Sequence, residues 1–248
     1  PGLHLKYALK QGFTARASYS TSIGRPPLTS IIPNVSINDT SQRVTIANPS
    51  LKPQQAKNYD VTLEYYFEPV GMFSVGYFAK DVKNFIYSDT SGTVGSGMDN
   101  GFDGNYVGYG ITTSANGGFA KYRGLEFSYQ QQFTFLPGFL SGLGANVSYT
   151  RLETEGNYGT ASPTTKVVGF RPRTANFALN YRRSRYDVRL QANWVDQYQR
   201  SVNANPAQVA YEVPHIRTSA KFSCKLTGRM TMYVNWDNIF EESIDQSY

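Results

Sequence analysis

The chain has 248 residues, 15% of them aromatic, and a formal net charge of +6. No run approaches 18 apolar residues, which excludes a transmembrane helix. Its single cysteine, Cys224, excludes an intrachain disulfide and a cysteine-based metal cluster.

Mean hydropathy is −0.43, an average in which alternating apolar and polar residues cancel. Lys and Arg are spread along the chain rather than gathered in one basic run, so the positive balance reads as loops and a wet interior, and no nucleic-acid partner is expected. The chain opens on Pro1-Gly2, with neither an initiator Met nor a signal peptide, and reads as part of a longer precursor.

Leu3–Leu9 and Phe13–Ser22 are two strands around Lys10-Gln11-Gly12. Residues 23–52 form a long connection rich in Pro, Ser and Asn. Gln54–Glu68 then sets Val61, Leu63, Tyr65 and Phe67 against Thr62, Glu64, Tyr66 and Glu68. Pro69-Val70-Gly71 turns the chain, and Met72–Tyr87 returns with Phe73, Val75, Tyr77 and Ala79 against Ser74, Gly76 and Lys80. A period of two is the strand period. At ~3.3 Å per residue the first arm is about 50 Å long. Tilted by ~45° it rises about 35 Å, enough to cross a bilayer core of ~30 Å.

Residues 88–117 are a second long connection, rich in Gly, Ser, Asp and Asn. Gly118–Phe135 faces Leu125, Phe127 and Tyr129 one way and Gly124, Glu126, Ser128 and Gln130 the other. A turn at 136–141 leads into Gly142–Glu155, with Leu143, Ala145, Val147 and Tyr149 against Gly144, Asn146, Ser148 and Thr150. Residues 156–169 are a third loop. Phe170–Tyr181, the turn Arg182-Arg183-Ser184-Arg185, and Tyr186–Gln199 form the next hairpin. A fourth loop spans 200–210, and Tyr211–Leu226 and Met230–Asn238 form the last hairpin, around Thr227-Gly228-Arg229.

That makes ten strands, with short turns after the odd ones and long loops after the even ones. All short turns therefore fall at one end of the sheet, as in transmembrane barrels. Lipid explains the regularity, because a spanning backbone must pair internally, in a helix or a closed barrel. The polar faces suit a hydrated lumen: Asp187, Arg189, Gln191 and Asn193 alternate inward along one strand. Tyr65, Phe67, Tyr181 and Tyr186 stand beside short turns, where an aromatic girdle meets headgroups. The fold class is all-β, an antiparallel transmembrane β-barrel present as a fragment of about ten long strands. The terminal Glu241-Glu242-Ser243-Ile244-Asp245-Gln246-Ser247-Tyr248 does not alternate, so a closing strand is expected beyond it.

Several stretches resemble the barrel of TonB-dependent outer-membrane receptors. Asn48-Pro49-Ser50-Leu51-Lys52-Pro53, Asn58-Tyr59-Asp60 and Leu63-Glu64-Tyr65-Tyr66 are similar to the family's N-P-x-L-K-P, N-x-D and L-E-Y-Y stretches. Phe78–Ile86 resembles F-x-K-D-I-x-x-F-I, Tyr122-Arg123-Gly124-Leu125-Glu126 resembles Y-x-G-x-E, and Asn235–Phe240 resembles N-x-x-N-L-F. The marks follow family order over most of the chain. The resemblance implies that residues 1–248 are the C-terminal part of one barrel domain, without the family's plug domain and closing strand. It implies an outer-membrane location in a Gram-negative type of bacterium and energised uptake of a scarce ligand: a ferric siderophore, a cobalamin-like cofactor or an oligosaccharide. The TonB complex would act through the plug region, the ligand would meet the extracellular loops, and lipid and lipopolysaccharide would surround the wall.

No catalytic pattern is present. His4 and His215, the only histidines, belong to neither H-E-x-x-H nor a triad pattern. The glycines at 95, 97 and 101 match no phosphate loop. Asp99, Asp103 and Asn105 offer oxygen ligands without EF-hand spacing, and Asp, Asn and Gly are ordinary turn residues. No enzyme activity, cofactor or metal is expected. Tyr106, Tyr109 and Phe119 are the candidate ligand contacts, as rings able to stack on a sugar or a catecholate. Arg182, Arg183 and Arg185 read as a solvated turn or a headgroup patch. Glu64, Glu126, Arg189 and Lys221 face inward, along a path or paired across strands. The rival readings are a passive porin, a barrel enzyme and a soluble β-sandwich binding module.

Overall fold

A computed structural model describes residues 1–157, 166–200, 209–241 and 246–247. The expected third and fourth loops and the end of the chain fall partly outside the described residues. In chain order the elements are β1 (Gly2–Lys10), β2 (Phe13–Gly24), a one-turn helix α1 (Leu28–Ile31), β3 (Val35–Asn38), β4 (Arg43–Ile46), β5 (Gln54–Phe67), β6 (Gly71–Lys83), β7 (Ile86–Thr93), β8 (Gly110–Asn116) and β9 (Phe119–Gln132). After a 3₁₀ turn at Gly138–Gly142 come β10 (Leu143–Asn157), β11 (Arg173–Arg183), β12 (Tyr186–Val195), β13 (Tyr198–Gln199), β14 (Tyr211–Glu212), β15 (His215–Thr227), β16 (Met230–Trp236) and β17 (Gln246–Ser247).

Ten of these strands form one sheet, in the order β1-β2-β5-β6-β9-β10-β11-β12-β15-β16. Every pair in it is antiparallel. Ten strands and the strict alternation of short turns with long connections are what the chain adopts, but the expected strands Tyr186–Gln199 and Tyr211–Leu226 are each broken, into β12 and β13 and into β14 and β15, and β13, β14 and β17 form a separate three-stranded sheet. The sheet does not close on itself: β1 and β16 are its edges, and every residue of both is exposed.

Register shows why the sheet holds one shape. One row of directly opposed residues runs Tyr7, Ala15, Leu63, Val75, Phe127, Tyr149, Ala175, Trp194 and Ile216. The row one residue away runs Thr14, Glu64, Ser74, Ser128, Ser148, Asn176, Asn193 and Arg217. A slip of one residue anywhere would mix these faces, which pins the register. Large apolar side chains of the first face stay uncovered by protein, with Leu63 at 45% and Leu190 at 46% exposure. A surface of this extent needs an apolar surround. Rings mark its limits. Phe13 stacks on Tyr65 at 4.2 Å and Phe67 on Tyr129 at 6.4 Å near the short turns, while Tyr19 meets Tyr59 at 5.1 Å toward the other end.

Above Tyr59 the faces exchange character. The outward row Lys57, Asp81, Lys121 and Glu155 alternates in charge across four strands, with Lys121 Nζ 3.7 Å from Glu155 Oε2. On the opposite face at this level lie Ala56, Val82 and Ala120, which with Phe85 and Val167 form a buried apolar cluster. The expected 50 Å arm, rising about 35 Å at a ~45° tilt, therefore does not face lipid along its whole length. On β5 only Tyr59 to Phe67 is apolar outward, about 26 Å of strand at ~3.3 Å per residue, which rises about 19 Å at a ~45° tilt.

Two expectations need correction. Met72–Tyr87 is not one strand. β6 ends at Lys83, Asn84 takes a positive φ of 53°, and β7 starts a second sheet. The two long connections are also not irregular. They join in a four-stranded sheet, β3-β4-β8-β7, in which β4 and β8 run parallel. Asn116 ties this sheet to the barrel wall. Its Oδ1 accepts from Lys52 N at 2.8 Å, and its Nδ2 donates to Lys52 O and Asn84 O at 2.9 and 2.8 Å. Asn48 Nδ2 donates to Ser114 O at 2.9 Å. The Asn48–Pro53 stretch thus serves to hang the loop sheet on the wall.

Candidate functional site

The largest of the described concavities, about 720 Å³, lies at the long-loop end of the sheet, within the range of small-molecule sites. The inward positions of the strands supply its floor: Ala56 on β5, Phe78, Lys80 and Val82 on β6, Tyr122 on β9 and Leu152 on β10. Ile86 and Tyr87 at the root of β7 close one side, and Val167 and Phe170 another. Val167 is held in place because its N–H donates to Thr154 Oγ1 at 3.0 Å. Tyr122 packs on Phe170 at 4.8 Å between ring centroids, and Phe85 on Tyr87 at 5.7 Å.

Gly124 makes this floor possible. It lies opposite Phe78 in register. A Cβ there would fall 2.4 Å from Phe78 Cζ and 2.5 Å from the Arg151 carbonyl oxygen. The missing side chain lets the Phe78 ring lie across the strand. Among the described residues that line the concavity, Lys80 is the one that carries a charge. The surface is thus rich in rings, with one ammonium group able to meet negative charge.

The structure separates the three ring candidates. Tyr106 and Tyr109 come together at 5.4 Å, and Phe102 meets Tyr106 edge-on at 5.8 Å. Tyr109 Oη donates to Asp39 Oδ1 at 3.2 Å. Desolvation, and then that hydrogen bond, push the Tyr109 phenol above its ordinary value. Phe119 lies apart at the start of β9, with the Lys121 ammonium 4.9 Å from its ring centroid. None of the three lines the large concavity.

Asp99, Asp103 and Asn105 belong to the same loop tip, which Asn100 organises by accepting from Phe102 N at 2.8 Å and Gly104 N at 3.1 Å. Among the described residues, no three of His, Cys, Asp and Glu are grouped to hold a metal ion. In the short turn, Arg182 pairs with Asp187 at 2.6 Å, Arg183 donates to the Gly138 carbonyl, and Arg185 lies 5.5 Å from the Tyr186 ring centroid. His4 faces a smaller concavity over β1, β2 and β5. His215 Nδ1 is 3.9 Å from the buried Glu212, which accepts from Tyr198 Oη at 2.8 Å. Of the inward charges, Glu64 pairs with Arg16 at 2.8 Å, Glu126 opposes Gly76, and Arg189 opposes Lys221.

Phe78, Lys80, Tyr87, Tyr122 and Phe170 were not singled out as site residues from the sequence. A signal existed for two of them. Phe78 and Tyr122 are rings at positions whose strand parity assigns them to the polar face.

An apolar outer band, a polar inner face and a ring-lined mouth above them define a segment of the wall of a membrane-spanning β-barrel. The chain belongs to the TonB dependent receptor-like β-barrel family, whose model matches residues 1–239. Among solved structures it is similar to a variant of the ferric enterobactin receptor PfeA of Pseudomonas aeruginosa in complex with enterobactin. Identity is 19% and the TM-score 0.73, over 97% of this chain and 35% of that one. The siderophore receptor PirA of Acinetobacter baumannii matches at 16% identity and a TM-score of 0.69, over 98% of this chain and 37% of that one. The copper transporter OprC matches at 14% identity and a TM-score of 0.69, over 99% and 34%. The chain thus spans little more than a third of the length of these proteins. Among curated proteins none matches it.

Proposed function

We propose that this chain forms part of the wall and outer mouth of a TonB-dependent receptor in the outer membrane of a Gram-negative type of bacterium, and that the receptor imports a small ligand without chemistry on it. The observation that carries the reading is the concavity floored by Phe78, Lys80 and Tyr122 at the long-loop end. Rings beside one ammonium group suit an aromatic ligand that bears negative charge, because the rings stack and the cation neutralises. The siderophore and enterobactin receptors among the structural relatives support the same class. OprC leaves room for a metal cargo delivered in another form. In this reading energisation by TonB acts on parts of the protein outside these residues.

The test is uptake by cells carrying the full-length protein. Radiolabelled ferric catecholates should enter in a TonB-dependent way, and the full-length variant with Tyr122→Ala and Lys80→Ala should take them up about tenfold more slowly at limiting concentration, the loss of one stacking and one charged contact. Uptake that persists without TonB would establish a passive porin instead.

A further inference from the structure

The ligand mouth leaves a second inward feature unexplained. Arg189 of β12 and Lys221 of β15 are direct register partners on the polar face. Like charges directly opposed across strands destabilise a sheet, and neither side chain has a hydrogen bond or ion pair with another described residue. Asp187, two residues away on the same face, is already engaged by Arg182, with Nε 2.7 Å from Oδ2. Asn180 and Asn235 extend the row on either side and bring no charge. The two cations border a concavity of about 440 Å³ together with Gln191, Ser219, Asn235 and Asp237. Asp237 forms no salt bridge with either cation. Arg217, two rungs toward the long loops on the same face of β15, adds a third positive charge.

We propose that Arg189 and Lys221 form a binding site for a carboxylate, or an oxyanion of like geometry, on the inner wall. A planar guanidinium matches two carboxylate oxygens at once, and an ammonium group adds a point charge. Gln191, Ser219 and Asn235 supply neutral hydrogen-bonding groups around the pair. An anion between the two cations turns a repulsive pair into a bridged one, which accounts for a like-charged pair in so regular a row. The site does not depend on which ligand the receptor imports. Its carboxylate has two sources, a small anion from solution or an acidic side chain from another part of the full-length protein inside the lumen.

The experiment uses the full-length protein in detergent. It compares wild type, R189Q/K221Q, and R229Q, a surface control in a short turn. Citrate binding is read by calorimetry, and thermal unfolding is read without citrate. For a free-anion site, wild type and R229Q bind citrate and R189Q/K221Q binds it about tenfold or more weakly, as expected for lost charge-assisted bonds. For a side-chain carboxylate, citrate does not bind, and R189Q/K221Q unfolds at a lower temperature than R229Q because a buried carboxylate has lost its partners. The sign is diagnostic, since removing a merely repulsive pair raises stability. Citrate affinity unchanged in R189Q/K221Q, or no citrate binding together with equal or higher thermal stability, overturns the proposal.

Discussion

Leu190 and Gln191 are neighbours in sequence with opposite surroundings, which makes them a sharp test of the barrel wall. Leu190 is the central outward residue of β12, between Tyr186 and Val188 on one side and Ala192 and Trp194 on the other. Its register partners are Leu179 and Ala220, and it is 46% exposed, so in the bilayer its outer half meets acyl chains. An arginine there, near the midplane, costs about 2–4 kcal/mol in outer-membrane barrels. At 1.4 kcal/mol per decade this lowers the folding constant by a factor of about 30 to 700. Gln191 faces inward, where its Nε2 donates to Asn193 Oδ1 at 3.0 Å. Gln191→Arg removes that bond and adds a cation to a wet wall, a change of about 1 kcal/mol or less. The assay is a denaturant titration of the full-length protein folding into phosphatidylcholine vesicles, followed by tryptophan fluorescence. L190R should shift the midpoint well below wild type, and Q191R should shift it little. Equal shifts, or a larger one for Q191R, would refute the assignment of faces on which the barrel reading rests.

Gly124→Ala should lower folded yield and stability by about 1–3 kcal/mol, the usual cost of overpacking. Combination with Phe78→Ala should restore only part of it, since the Arg151 carbonyl also lies in the way; full restoration, read by heat-modifiable gel mobility, would place the conflict in the ring alone. Asn116→Ala removes three hydrogen bonds and should free the loop sheet before the wall, so hydrogen exchange should quicken in β7 and β8 while β5 and β6 keep their protection; unchanged exchange would show that Asn116 is no tie. Asp89 accepts from Ser91 Oγ at 2.6 Å and Ser91 N at 3.0 Å, and these bonds, the side-chain one first, hold its carboxyl below the ordinary value. A carboxylate depressed in the folded state adds stability that is complete above its unfolded value and is lost as pH falls through the folded one. Ser91→Ala should therefore raise the Asp89 titration midpoint in carboxyl-carbon NMR, and no movement would remove this account of the β7 bulge between Asp89 and Gly92.

Much of the wall was legible in the sequence because lipid imposes one rule on every strand. Outward residues such as Leu63, Phe127 and Leu190 must be apolar and inward ones such as Glu64, Ser128 and Gln191 need not be, so period two survives over ten strands without help from distant contacts. The loop sheet was not legible. β4 pairs with β8 across 67 residues of chain, Arg43 with Gly110, and four-residue runs such as VSIN and RVTI carry too little pattern to announce a partner. The site lay between these cases. Lys80 was read as an inward residue, and Tyr122 only as part of a motif. Phe78 and Tyr122 gain meaning through Gly124, whose bare Cα is visible only once register places it beneath the ring.

The ring-lined mouth follows from a change of phase along the same strands. Near the short turns β6 sets Phe73, Val75 and Tyr77 outward and Ser74 and Gly76 inward. Farther up, Asp81 and Lys83 are outward, and Phe78 and Val82 inward. β9 does the same, with Leu125 and Phe127 outward below and Lys121 and Arg123 outward above, while Tyr122 and Ala120 turn inward. β10 repeats it with Val147 and Tyr149, then Arg151, Glu153 and Glu155. The alternation never breaks; only the polarity of each face reverses, at Asp81 on β6, one same-face step lower at Arg123 on β9 and one step lower again at Arg151 on β10. A strand standing clear of lipid meets water on its outer side, so charge is favoured there. Its inner side meets the loop roots and any ligand, so apolar surface can be buried. A stagger from β6 to β10 is what a level boundary draws across tilted strands, so the reversal marks the upper membrane boundary. Above it the barrel wall becomes the floor of the concavity.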